Sequence, residues 1–167
     1  SDVCSSDLSR MSATFSALSK FREDCEEHGN PPLFAVATSA VREASNGNEF
    51  VQQALEKTGI EIEIISWEEE ARLTLEGVFW KIPHENRRIL TLDIGGGSTE
   101  FILSEGKKIA GFCSSSLGVV RLTEKFIHQH PVDNSEHTNL TTHLKNELQT
   151  IREKLSAFTP QVFIGTA

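Results

Sequence analysis

The residues best placed to do chemistry lie in one short run, Asp93-Ile-Gly-Gly-Gly-Ser-Thr-Glu100. Three consecutive glycines remove every Cβ that would keep an anion from the backbone amides, and they leave the turn free to take positive φ. Ser98 and Thr99 add two hydroxyl donors. Asp93 and Glu100 flank the turn, so two carboxylates on neighbouring strands can point at one spot. Hard oxygen ligands beside a phosphate are the setting for Mg²⁺. A glycine-rich turn between strands need not bind anything, and the pattern by itself leaves both readings open. It is not a Walker loop, because no Gly-Lys-Ser/Thr closes it. Nor is it a dinucleotide fingerprint, because a strand rather than a helix follows the glycines.

A second group is Ser66-Trp-Glu-Glu-Glu-Ala-Arg-Leu73. Carboxylates in the first turn of a helix are stabilised by the macrodipole, which accounts for one such Glu without any function. Three in a row exceed that need, and one of them facing a phosphate could align or deprotonate water. Arg42 follows a short apolar run and begins a helix. It reads either as a surface cation or as a phosphate ligand.

The elements that carry these residues follow from periodicity. Met11, Phe15, Leu18 and Phe21 recur at helical steps to His28, where Gly29-Asn-Pro-Pro32 stops the pattern. Leu33 to Ala37 predicts a strand buried on both faces, in a parallel sheet. Helices are expected over the Val41 to Glu43 segment, capped by Thr38-Ser39, and over Glu49 to Lys57, ended by Gly59. Ile60 to Ile65 alternates as a strand, and Ser66 is placed to cap a helix from Trp67 to about Trp80. Ile89 to Asp93, Thr99 to Leu103 and Lys108 to Cys113 read as an antiparallel meander. Helices over Gly118 to Ile127 and Ser135 to Ala157, then a strand from Val162 to Gly165, complete the chain.

The fold class is therefore α/β. Lys81 to Arg88 has no apolar periodicity, which puts a domain boundary there: residues 11–83 in one domain and 84–167 in the next. Residues 1–10, with their repeated Ser-Asp and Ser-Ser pairs, are expected to be a foreign or disordered leader.

Composition excludes several classes. The 167 residues are 38% hydrophobic and 24% charged, an ordinary globular profile. With 16 basic against 24 acidic residues the formal charge is -8, so an anionic ligand must be held by local groups or by metal. Nucleic acid and membrane are not expected partners, and a cytoplasmic location is the default. Cys4, Cys25 and Cys113 show no ligand spacing and read as reduced thiols. His128, His130, His137 and His143 match no zinc signature and read as solvated side chains. The leucines of the last helix read as packing on its own sheet rather than as a partner surface.

Four segments together, Ala37-Thr-Ser-Ala-Val-Arg-Glu-Ala44, Ile64-Ile-Ser-Trp-Glu-Glu-Glu-Ala-Arg-Leu73, Asp93 to Glu100 and Leu117-Gly-Val-Val-Arg-Leu122, resemble the exopolyphosphatase and guanosine pentaphosphate phosphohydrolase family, the Ppx/GppA phosphatases. The resemblance implies an actin-like ATPase architecture of ribonuclease-H-like domains, here incomplete and spanning parts of two of them. It implies Mg²⁺-assisted hydrolysis of the terminal phosphoanhydride of polyphosphate or pppGpp, in a protein that is a homodimer at full length. By motif, Glu70 is the catalytic base, and Asp93 and Glu100 are the metal carboxylates. Arg42, Gly95, Gly96, Gly97, Ser98 and Thr99 are the phosphate contacts. Trp67 stands where the family has Gly. The family's first phosphate hairpin is not found, and both ends are expected to be truncated, which would leave the chain short of a full site. Other readings are an actin-like nucleotide-binding module, such as a sugar kinase or chaperone-type ATPase, and a non-catalytic binding fragment.

Overall fold

The computed structural model describes residues 8–82 and 87–166, which form two compact units dividing between Ser66 and Trp67. The boundary expected between residues 83 and 84 lies outside the described residues, as do residues 1–7 of the expected leader and Cys4. Among the described residues no helix is long and apolar enough to cross a membrane.

The first unit runs α1 (Leu8–Glu27), β1 (Ala35–Ala37), α2 (Ser39–Arg42), α3 (Gly47–Thr58) and β2 (Ile62–Ile64). The helix thus takes in Leu8 to Arg10, three residues assigned above to the leader. Met11 and Phe15 of α1 meet Phe50 and Ala54 of α3 in a core that also holds Ala37 and Ile62. The Phe15 and Phe50 rings stack with centroids 5.3 Å apart. Gly59 ends α3 at φ 67°, donating its N–H to the Leu55 carbonyl, a left-handed position that other residues enter only at a cost. Strands β1 and β2 are parallel, with Ala35 opposite Ile62. The expectation of burial on both faces fails: Val36 is 53% exposed. The core of this unit gathers on the side of Ala35, Ala37 and Ile62, and Val36 and Glu63 on the alternate face are exposed.

The second unit runs α4 (Trp67–Phe79), β3 (Arg88–Ile94), β4 (Thr99–Glu105), β5 (Lys108–Ser115), α5 (Val119–Phe126), α6 (Asn134–Lys154) and β6 (Val162–Thr166). The strand order is β5-β4-β3-β6. The meander is antiparallel, and β6 joins β3 in parallel. Side-chain alternation divides β3 between two layers. Ile89 packs with Ile102 under Ala71, Leu75 and Phe79 of α4. Leu90 and Leu92 pack on the opposite face with Phe101, Leu117 and Ile151, below α5 and α6. The helix before the expected boundary therefore goes with the second sheet, because its apolar stripe at four-residue steps closes that core.

Helix α6 begins one residue before the expected start. Asp133 caps it, accepting from Glu136 N at 2.7 Å, while the Glu136 carboxylate accepts from Asp133 N at 3.3 Å, a capping box. The same carboxylate accepts from His128 N at 2.7 Å. Cys25 and Cys113 are free thiols.

Ile102 is fully buried at the centre of the α4-facing core. Ile102→Ala is expected to lower unfolding stability in urea by about 2–5 kcal/mol, and a loss under about 1 kcal/mol would mean that this face is not the packed layer described.

Candidate active site

The strand register brings the two expected carboxylates together. Asp93 is the direct partner of Glu100 in the β3-β4 ladder, and Ile94 that of Thr99. The turn between them closes with Gly95 N donating to the Ser98 carbonyl at 2.9 Å. The freedom to take positive φ expected of its glycines is not used. Among the described residues the glycines at positive φ are Gly29, Gly59 and Gly106, so the turn of Gly95 to Gly97 uses no left-handed backbone. What it needs is close approach. Val119 N donates to the Gly95 carbonyl at 3.0 Å, and Val120 N and Arg121 N to the Gly96 carbonyl at 2.9 and 3.2 Å.

Those donors are the first-turn amides of α5, which a helix cannot satisfy within itself. The contact is so tight that a Cβ on Gly118 would collide with the Gly97 carbonyl carbon and the Gly96 oxygen. Gly118 is therefore required at this point, although its place in the sequence shows only a residue before a helix. With these carbonyls turned into α5, the amides of Gly96, Gly97 and Ser98 have no acceptor among the described residues.

Of the two hydroxyls expected to contact phosphate, that of Thr99 is engaged within the fold. Thr99 is buried and donates to the Leu117 carbonyl at 2.9 Å, a strut between β4 and the start of α5. Ser98 stands beside the Glu100 carboxylate and favours its charged form. Both residues are interior, Thr99 at the head of a strand whose every position from Thr99 to Ser104 is buried.

Glu100 itself is only 3% exposed. Burial pushes its carboxyl above the usual carboxylate range, and the charges of Glu70 and Asp93 push it the same way. Hydrogen bonds from Ser98 and Ser114 oppose the shift. The Ser114 hydroxyl, one strand over on β5, donates to Glu100 Oε1 at 3.2 Å. Asp93 Oδ2 accepts from the Thr74 hydroxyl at 3.1 Å. Thr74 and Ser114 were not singled out from the sequence. Thr74 stands one helical turn after Glu70, and that spacing was the available signal.

The same spacing separates the three consecutive glutamates. Ala71, Leu75 and Phe79 point into the core, so Glu70 and Thr74 form the adjacent stripe, at the end of the sheet where Asp93 and Glu100 emerge. Glu69 lies outside that stripe and pairs with Arg72 at 2.6 Å, in a fork that also takes Glu76. Trp67 turns toward β5, its ring 6.5 Å from that of Phe112. Arg42 belongs to the first unit, where its Nη1 donates to the Ile65 carbonyl at 2.8 Å and ties α2 to the end of β2.

Among the described residues no group of three or more His, Cys, Asp or Glu could hold a metal ion as a set. Asp93 and Glu100 can supply part of a coordination shell. A cation there would draw its remaining oxygens from phosphate and water, as Mg²⁺ commonly does.

Comparison with known proteins accords with this arrangement. Residues 6–167 match the model of the Ppx/GppA phosphatase family. The chain belongs to that family. A bifunctional 3-dehydroquinate synthase/phosphatase of Fusobacterium nucleatum is 33% identical over 129 residues, 75% of this chain and 19% of that protein. An exopolyphosphatase from Cytophaga hutchinsonii superposes with a TM-score of 0.85 at 29% identity, over 95% of this chain and 51% of that one. A Ppx/GppA family member from Aquifex aeolicus does so at 0.68 and 27%, over 98% and 52%. The chain thus spans about half the length of these solved relatives. The architecture is actin-like, shared at fold level with the PilM of a PilM-PilN type IV pilus biogenesis complex, at a TM-score of 0.53 and 20% identity.

A family member whose Glu100 is held above its usual pKa has a pH-dependent stability. The fold favours the protonated carboxyl, so this contribution is present below the unfolded value of about 4.3 and is lost as pH rises through the folded value. In chelator, Glu100→Gln is expected to melt at a higher temperature than the unaltered chain at pH 7. The difference should vanish below about pH 4. A lower melting temperature for the variant at pH 7 would contradict this.

Proposed function

We propose that this chain carries the phosphate and metal wall of a site that hydrolyses a terminal phosphoanhydride, in inorganic polyphosphate or in pppGpp. One observation carries the reading: the carbonyls of Gly95 and Gly96 are bound to α5, which leaves the amides of Gly96, Gly97 and Ser98 for an anion beside two carboxylates. Phosphoryl transfer asks mainly for positioning and charge stabilisation, and such amides supply both.

In this reading the amides hold the terminal phosphate. Thr99 acts through the frame by bonding the Leu117 carbonyl, while the Ser98 hydroxyl stands beside Glu100 at the phosphate turn. Asp93 and Glu100 are the residues that would hold Mg²⁺, whose charge would neutralise phosphate oxygens and relieve the repulsion between the carboxylates. Thr74 orients Asp93 and Ser114 orients Glu100. Glu70 takes the proton of the attacking water. Arg42 is assigned to phosphate by its family motif. The carboxylate concentration at the hairpin makes the metal a requirement for an anionic substrate and not an accessory.

The alternatives differ in where the phosphate goes. A sugar kinase of similar fold transfers it to an acceptor, whereas a phosphatase releases it to water. The experiment uses a protein carrying this chain together with the remaining half that its relatives possess. Glu70→Gln is expected to reduce phosphate release from polyphosphate or pppGpp about 10²- to 10⁴-fold in kcat with little change in KM. Unchanged turnover would remove Glu70 from the chemistry. Comparing kcat/KM for the two substrates in the same assay selects between them.

A further inference from the structure

The second unit has a cavity of ≈ 370 Å³ between α4 and β5. It is separate from the hairpin site. Glu70 lies in the first turn of α4 and Trp80 just past its last residue, ten residues on, which is roughly 15 Å along a helix axis.

The floor of the cavity is apolar, formed by Leu75 and Phe79 of α4 and Ile109 of β5. Its wall is Trp80, whose side chain is 84% exposed. A large flat indole left in water over an apolar floor is the usual construction of a surface that stacks a planar ring. The rim is charged. Arg72 is already committed to Glu69 and Glu76. Lys107, by contrast, enters no ion pair among the described residues.

Lys107 is also not alone. The β4-β5 turn places it beside Lys108, and Gly106 N donates to the Arg87 carbonyl at 3.0 Å, which brings the start of β3 alongside. Arg88 is registered with Glu105, and Glu105 with Lys108. Four cations, Arg87, Arg88, Lys107 and Lys108, thus share one end of the sheet with a single carboxylate, Glu105, Lys107 on the cavity side and Arg88 and Lys108 on the face of Glu105. None of the four is in an ion pair among the described residues. In a chain of formal charge -8, such a local surplus attracts anions that the rest of the molecule repels.

An exposed tryptophan or a basic turn taken singly is ordinary surface. In this cavity the ring and an unpaired cation line the same space. That pairing of an apolar stacking wall with a phosphate-seeking rim is complementary to a ligand with a flat ring at one end and phosphates at the other. We propose that this groove binds a nucleoside phosphate, with the base on Trp80 and the phosphates toward Lys107. The inference is independent of the hairpin's function, because it uses none of the hairpin's residues.

Trp67 and Trp80 are the chain's 2 tryptophans, so Trp67→Phe leaves Trp80 as the sole indole. The experiment titrates that variant with ATP and with GTP in chelator and follows its fluorescence. A saturable quench is expected with either nucleotide, and it should persist when Glu100→Gln is added to disable the hairpin. Lys107→Glu should weaken it roughly tenfold or more, and Lys107→Ala by less, with melting temperatures unchanged. Inorganic triphosphate should neither quench nor compete at the same concentration. Absence of a saturable quench would overturn the proposal. So would its loss with Glu100→Gln, insensitivity to Lys107, or equal competition by triphosphate, which would show that the ring is not read.

Discussion

Two carboxylates face each other across a single antiparallel ladder, and much of the second unit can be understood as accommodating that pair. Asp93 and Glu100 are registered residues near the end of the β3-β4 hairpin, a position where like charges repel. Burial removes the water that would otherwise moderate the repulsion, and Glu70 adds a third negative charge from α4. The chain answers with hydroxyls. Thr74 donates to Asp93 and Ser114 to Glu100. At Glu100 the bond from Ser114 opposes the rise that burial causes.

The glycine turn is the other half of the same construction. Its carbonyls are taken by the opening amides of α5, and this is possible because Gly118 has no side chain to hold the helix away. Helix α5 is in turn held through the core it shares with α6 and the sheet, where Leu122 and Leu144 pack around Phe101, Leu117 and Ile151. A turn without left-handed residues is therefore rigid by hydrogen bonding rather than by conformational preference. Rigid amides cost little reorganisation when an anion arrives.

Much of this was legible in the sequence. Alternation and turn residues marked the meander correctly because β4 is central and its neighbours follow within short turns. That Asp93 and Glu100 flank one turn on neighbouring strands was legible, and the structure makes them direct partners. The parts that escaped depend on contacts between elements distant in sequence. Thr74 resembles any polar residue of a helix until Asp93 is placed beneath it. The burial of Thr99 and its bond to the Leu117 carbonyl were not legible because both depend on the whole sheet. The need for glycine at position 118 arises from a backbone more than twenty residues upstream. Val36 looked buried because an apolar run carries no information about how many layers will cover it. The capping box of Asp133 and Glu136, in contrast, was readable from its spacing and would have corrected the start of α6.

The central claim is that the hairpin binds a cation and a phosphate together, each relieving the charge of the other. Calorimetric titration of the chain with inorganic triphosphate, with and without Mg²⁺, tests it most directly. The account predicts that each ligand tightens the other reciprocally, and that Asp93→Asn removes this coupling. Triphosphate bound with the same affinity in the presence and absence of Mg²⁺ would contradict it.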